Sequence, residues 1–281
     1  MPKPTRGAQR ASAARFRTVF VTLVATLLSI GALGASASPT EAATRKVVIV
    51  VGPVGSQTAN YIYNAKLLAT QARSYGASVT EVYSPYATWS RVASVAKGAH
   101  VLVYLGHGNG WPSPYAPFNV YSKDGMGLNK ASGYGNSNNK YYGEYYMQRL
   151  ALAPNAVVVL NRLCYASGNS EWGAANPTKS VAIQRVDNYG AGFLRSGAKA
   201  VFASGLSSAG YVLKGLFRGT STMTLSSLFW TDPNRTGSYK FGFNSSRTPG
   251  SVALMDPYQP SRYYRSVIGT LSITVGTWRA S

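Results

Sequence analysis

The sequence predicts an α/β fold, a largely parallel sheet sandwiched by helices with a short C-terminal β-rich extension, and three observations predict it. Short β-branched runs recur along the chain, apolar throughout, as strands buried on both faces are. Segments with apolar residues near helical spacing stand between them and end at glycine. The two kinds alternate, which is the order of βαβ units with helices on both faces of the sheet.

The first strand is "VVIVV", residues 47–51, bounded by "GPVGS". Residues 57–75, "QTANYIYNAKLLATQARSY", follow as a helix stopped by Gly76. "ASVTEVYSP" reads as the second strand, "TWSRVASVAKG" as a helix and "HVLVYLG" as the third strand. A segment from Gly108 to about Lys140, rich in Gly, Asn, Ser, Tyr and Pro, is longer than a loop in a compact domain needs and reads as a binding or lid segment. A short helix, roughly residues 142–152, leads into the strand "AVVVLNRLC". "TKSVAIQRVDNYGAGFLRSG" then reads as a helix ending at Gly197, and "KAVFASG" as one more buried strand. After residue 220, "WTDPNRTGSYKFGFN" and "SRYYRSVIGTLSITVGTW" alternate in period two, so residues 221–281 are expected as β-strands packed on the domain of residues 44–220.

Residues 1–43 stand apart. Lys3, Arg6, Arg10, Arg15 and Arg17 precede the apolar block "TVFVTLVATLLSIGALG" and the small-residue run "ASASPTEAAT". This is the layout of a secretory signal peptide cleaved after Ala37 or Ala43, so a secreted or extracytoplasmic protein is expected. Of 28 basic residues, 23 remain when those five are removed; of 8 acids, 7 remain without Glu41, which leaves a net charge of +16. Such a surplus attracts anionic surfaces and polymers without a specific site. The basic residues are scattered, with no run of four or more, and no nucleic-acid module is recognisable.

An exported chain usually carries cysteines in pairs, because its surroundings oxidise them. Cys164 is the only cysteine here. It can pack as a small hydrophobe, pair between chains, or be kept for its reactivity. The third of these gains support from position. His107 and Cys164 both fall at the carboxyl ends of apolar strands, where open α/β sheets bind their ligands. Were those strands neighbours, their ends would lie about 5 Å apart, and imidazole and thiol would meet across one gap. Cysteine with histidine is the minimal equipment for acyl transfer: a sulfur nucleophile, and a base that later returns the proton to the leaving amine. The backbone N–H groups of Gly108 and Cys164 are candidate donors to the developing oxyanion, and the missing side chain at Gly108 lets a substrate approach the backbone.

These residues resemble the caspase-like cysteine peptidases, the group of gingipain, clostripain, legumain, separase and metacaspase. Their mark is an apolar strand ending in His-Gly and, several tens of residues later, a second ending in the nucleophilic cysteine, here "VLVYLGHG" and "VVVLNRLC". "AGFLRSGAKAVFASG" also resembles the helix and strand behind the nucleophile in bacterial members. The likeness covers roughly residues 45–210. It implies His107 as base, Cys164 as nucleophile, Gly108 as oxyanion donor, and a peptide or protein substrate. The position two before the cysteine commonly lines the primary specificity pocket in the family; here it is Arg162, whose guanidinium would pair with an acidic substrate side chain. The glycine after the cysteine comes late, at Gly168. Glu171, in the loop after the nucleophile, is the alternative contact, for a basic substrate residue, and a solvated helix-face charge is expected for Asp187. Asn109 and Trp111, just past His107, complete the candidate substrate-binding set. The tyrosines at 115, 121, 134, 141 and 142 are either part of a substrate platform or the loop's own packing.

Other chemistries have less behind them. "GPVGS" lacks both the Lys-Ser/Thr ending of a phosphate loop and the third glycine of a dinucleotide fingerprint. No G-x-S-x-G elbow is present. The two histidines and the cysteine are not at metal-ligand spacing, so neither metal nor cofactor is expected. The rival reading is a noncatalytic exported α/β module that binds surface or wall polyanions. An activated Cys164 would be alkylated in the native protein with a pH profile well below that of a free thiol.

Overall fold

A computed structural model describes residues 44–206 and 208–281. The expected signal peptide and its cleavage sites lie outside the described residues. The expected fold class is found. Eight strands form one sheet: β1 (Lys46–Val51), β2 (Ser78–Tyr83), β3 (Val101–Leu105), β6 (Ala156–Asn161), β7 (Ala198–Ser204), β8 (Phe241–Asn244), β9 (Val252–Met255) and β10 (Arg265–Gly269). Their order is β2-β1-β3-β6-β7-β10-β9-β8. The first five are parallel, and β10, β9 and β8 continue the sheet antiparallel.

The apolar runs are continuous because both faces are covered. In β1, Val48 and Val50 belong to the core layer that also holds residues of α2 (Trp89–Ala96), α3 (Glu144–Met147) and α4 (Lys179–Arg195). Val47, Ile49 and Val51 belong to the layer on the other face, with residues of α1 (Thr58–Ser74), α5 (Gly210–Arg218), α6 (Leu225–Phe229) and α7 (Val275–Ala280). Period-two geometry sends alternate side chains to opposite layers, so every position of such a strand must be apolar.

Three expectations need correction. The long segment after Gly108 is not a bare loop: it holds a two-stranded hairpin, β4 (Met126–Asn129) with β5 (Asn139–Tyr142), and Met126 and Leu128 join the core. The helix expected over residues 142–152 is a single turn, α3. The C-terminal region is not purely β: it contributes α6 and α7 as well as strands, and the β-branched stretch "ITVGTW" turns into α7 because the Thr274 side chain accepts from the Thr277 N–H and caps it.

No helix among the described residues is long and apolar enough to cross a membrane.

Candidate active site

β3 and β6 are parallel neighbours, with Leu105 opposite Asn161. His107 and Cys164 therefore leave the carboxyl edge of the sheet on adjacent strands. The chain just past β3 is held by a buried phenol. The Tyr104 hydroxyl lies 3.0 Å from the His107 carbonyl and 2.8 Å from the Gly127 carbonyl, and it accepts from the Gly127 N–H at 2.9 Å. The Gly127 N–H also lies 3.2 Å from the His107 carbonyl, so the hairpin fixes the backbone at the histidine.

The Cys164 loop is held as closely. Arg162 and Tyr165, on either side of Leu163 and Cys164, both take left-handed backbone angles, φ 60° and 69°. Non-glycine residues adopt these only where their surroundings impose it. The Arg162 N–H donates to the Ser204 carbonyl at 2.7 Å, and its own carbonyl lies 3.3 Å from the Tyr61 hydroxyl of α1.

The two loops meet backbone to backbone. A Cβ placed on Gly108 would lie 2.2 Å from the Cys164 carbonyl oxygen and 2.8 Å from the Tyr189 hydroxyl, and one on Gly110 would lie 2.3 Å from Cβ of Tyr165. The bare backbone at Gly108 thus serves loop packing, a role that its expected use in admitting substrate did not anticipate.

Cys164 is half-buried and packs against the core layer that contains α4. Burial pushes its thiol pKa up, the Glu171 carboxylate pushes the same way, and the Trp172 backbone N–H pulls it down. His107 is exposed at its edge. Loss of hydration lowers its pKa, against an upward pull from Glu171. Neither side chain is among the charged or hydrogen-bonding neighbours that act on the other. A raised thiol and a lowered imidazole both favour the neutral forms at rest over the preformed ion pair that a lowered thiol pKa would require.

Cys164, Arg162 and Glu171 line one cavity of about 810 Å³. Its other walls come from Tyr61 of α1, from the loop after Cys164 at residues 169–177, from residues 205–206 past β7 and from residues 261–264, the turn between β9 and β10, and Trp172, 95% exposed, stands at its rim. The Glu171 carboxylate accepts from the Tyr165 hydroxyl at 2.7 Å. His107, Gly108, Asn109 and Trp111 do not line this cavity. Asn109 is held through its side chain, donating to the Ser122 carbonyl at 2.9 Å and accepting from Lys123 Nζ at 2.8 Å. The Trp111 N–H donates to Asp124 at 2.9 Å, and its carbonyl accepts from Asn188 at 2.8 Å. Of the tyrosines, 115, 121 and 134 are exposed, while Tyr142 is buried and stacks on Trp89.

Asp187 is not a solvated charge. It is buried and accepts from the Ser245 hydroxyl and from the N–H and hydroxyl of Ser246. His100 sits at the far end of β3, where its Nδ1 accepts from the Lys46 N–H at 3.1 Å. Sequence reasoning missed Tyr61 and the turn at 261–264, because a wall assembled from segments a hundred residues apart leaves no local signal, and it missed Trp172, whose neighbour Glu171 it had singled out for its charge. Among the described residues there is no group of three or more His, Cys, Asp and Glu side chains able to hold a metal.

No family model and no curated protein matches the sequence. Among solved structures the chain is similar to a secreted C11 cysteine protease from Bacteroides thetaiotaomicron in complex with an irreversible peptide inhibitor, at 11% identity over 76% of this chain and 66% of that one, with a TM-score of 0.36. A second structure of a secreted C11 cysteine protease from that organism, "iotapain", is similar at 12% identity, with the same coverage and a TM-score of 0.34. The chain thus spans just under two thirds of their length, and likenesses of this size leave the site to be argued from its own geometry.

Proposed function

We propose that the protein is a secreted cysteine peptidase that cleaves a peptide bond by acyl transfer to Cys164 and then to water. The observation that carries the reading is the meeting of two loops at the edge of neighbouring strands: the residue after His107 packs directly on the Cys164 carbonyl. With both groups neutral at rest, His107 would take the thiol proton as the sulfur attacks the substrate carbonyl. The carbon–sulfur bond forms, the carbonyl electron pair moves to oxygen, and backbone N–H groups of Gly108 and Cys164 would receive the oxyanion. Collapse breaks the carbon–nitrogen bond, and the imidazolium returns its proton to the amine. Water, deprotonated by the same imidazole, then hydrolyses the thioester and frees the thiol. Catalytic hydrogen bonds in empty sites are commonly long and tighten only with substrate bound.

The cavity supports an acidic substrate side chain. Arg162 and Arg262 both line it, and the ion-paired arginines, at 73, 195, 247 and 265, are elsewhere. Glu171, which would favour a basic residue, already receives the Tyr165 hydroxyl. Asn109 and Trp111 act in this reading by shaping the loop that carries His107.

The raised thiol pKa, with no interaction from His107, favours the second reading, a noncatalytic module for surface polyanions. One experiment decides between them. The protein without its signal peptide is incubated with a mixed peptide library, beside Cys164→Ala. Cleavage lost in the variant is the expected result, with acidic residues enriched before the cut and that preference erased in Arg162→Ala. An intact library with the unaltered protein would leave the binding module standing.

A further inference from the structure

One buried side chain spans the two loops of the proposed site. Arg185 of α4 is almost wholly inaccessible. Its Nε donates to the Pro112 carbonyl at 2.7 Å, on the loop that begins with His107. Its Nη1 donates to the Asn169 carbonyl at 2.8 Å and lies 3.2 Å from the Ser170 hydroxyl, on the loop that begins with Cys164. The guanidinium also stands 4.7 Å from the centroid of the Tyr165 ring, whose hydroxyl donates to Glu171.

The ion pairs among the described residues do not include Arg185. A buried cation held by carbonyls and a ring face, with the charge of Glu171 acting on it without a direct ion pair, is a costly way to fill space, and an apolar side chain of similar volume would avoid the desolvation. What the guanidinium offers in return is a rigid plane of donors that serves two backbones at once while its face stacks on a third group. Its neighbour one turn along, Asn188, adds a bond to the Trp111 carbonyl and accepts from Arg247 at 3.0 Å. The helix thus grips successive carbonyls of the histidine loop, and through Arg185 it grips the cysteine loop as well.

We infer that Arg185 is a positioning residue, which sets the spacing of the His107 and Cys164 loops from behind without touching substrate. The inference rests on the cysteine-peptidase reading above. Its consequence is a particular split: loss of the clamp loosens the cavity wall only at Asn169 and Ser170, leaves the walls at 261–264 and at Arg162 in place, and shifts base against nucleophile, so turnover falls much more than binding.

The test uses R185M, which keeps the volume and removes every donor, and R185K, which keeps the charge but cannot serve both loops in one plane. Each is checked for folding by circular dichroism and thermal melting, then assayed on the best peptide from the library. The expected result is a kcat lower by about 100-fold in R185M, the scale of an ångström-sized misplacement, with KM within about 3-fold and R185K in between. A folded R185M with unaltered kcat, or a loss confined to KM, overturns the inference. Should R185M fail to fold, R185K decides: a kcat equal to that of the unaltered protein overturns it, and a lowered kcat at constant KM upholds it. Failure of the peptidase reading is distinct, because it is an absence of Cys164-dependent cleavage with Arg185 intact.

Discussion

Burial sets the resting protonation of the site, and Glu171 modulates it. An anionic neighbour favours the protonated form of any group near it: it stabilises an imidazolium and destabilises a thiolate. Its carboxylate acts in that sense on both His107 and Cys164, adding to burial at the thiol and opposing burial at the imidazole. Glu171→Gln removes the charge and keeps an oxygen to accept from the Tyr165 hydroxyl. Both pKa values should then fall. In the unaltered protein, alkylation of Cys164 by iodoacetamide should rise with a midpoint above the ordinary thiol value of about 8.5. In the variant the midpoint moves down, so that below it the thiol reacts faster at a given pH. A variant midpoint at or above that of the parent would show that Glu171 does not govern the sulfur.

Among the elements, the three antiparallel strands are as much part of the site as β3 and β6, because the turn between β9 and β10 supplies one cavity wall. That turn is anchored by a buried ionic cluster. Arg265 of β10 donates through Nε to Asp232 at 2.7 Å, through Nη2 to the Phe229 carbonyl at 2.8 Å, and pairs with Asp256 just past β9. Asp256 also accepts from the N–H groups of Thr236 and Gly237. Asp256→Ala would leave a buried guanidinium with one carboxylate and two amides without an acceptor, a loss of about 3–5 kcal/mol, measured by urea unfolding. A change below about 1 kcal/mol would mean that the cluster behaves like a surface pair. The sequence shows unevenly what this scale contains. "VVIVV" and "HVLVYLG" are legible because double-sided burial forces every residue to be apolar. "MGLN" and "NKYY" are too short and too polar to announce β4 and β5, whose pairing depends on docking against Tyr104. "ITVGTW" misleads because β-branched residues favour strands until a threonine cap and the burial of Trp278 turn the segment helical. His107 and Cys164 are legible as strand-end residues, whereas Arg185 looks like any helical arginine until the two loops fold against it.

For the molecule as a whole, the distribution of charge matters more than its total. From residue 44 onward there are seven acids, and five of them, Asp124, Glu144, Asp187, Asp232 and Asp256, are buried. The other two are also engaged, Glu81 with Arg73 and Glu171 with Tyr165. Few basic residues are withdrawn in the same way: Lys123, Arg185 and Arg265 are the buried ones. From residue 44 onward the charged groups at the surface are therefore mostly cationic, and their field reaches a polyanion wherever the Debye length allows, about 8 Å at 0.15 M salt and 3 Å at 1 M. With the cations dispersed, only a few should engage at once and no base sequence should be preferred. Duplex DNA serves as a polyanion probe because its salt response has a known scale. Three or four simultaneous contacts predict binding that weakens about 20- to 50-fold between 0.05 and 0.15 M salt, equally for two unrelated sequences and equally for Cys164→Ala. A steeper salt response would reveal a clustered patch, and a preference between the duplexes a specific nucleic-acid site, either of which contradicts an attraction carried by dispersed surface charge alone.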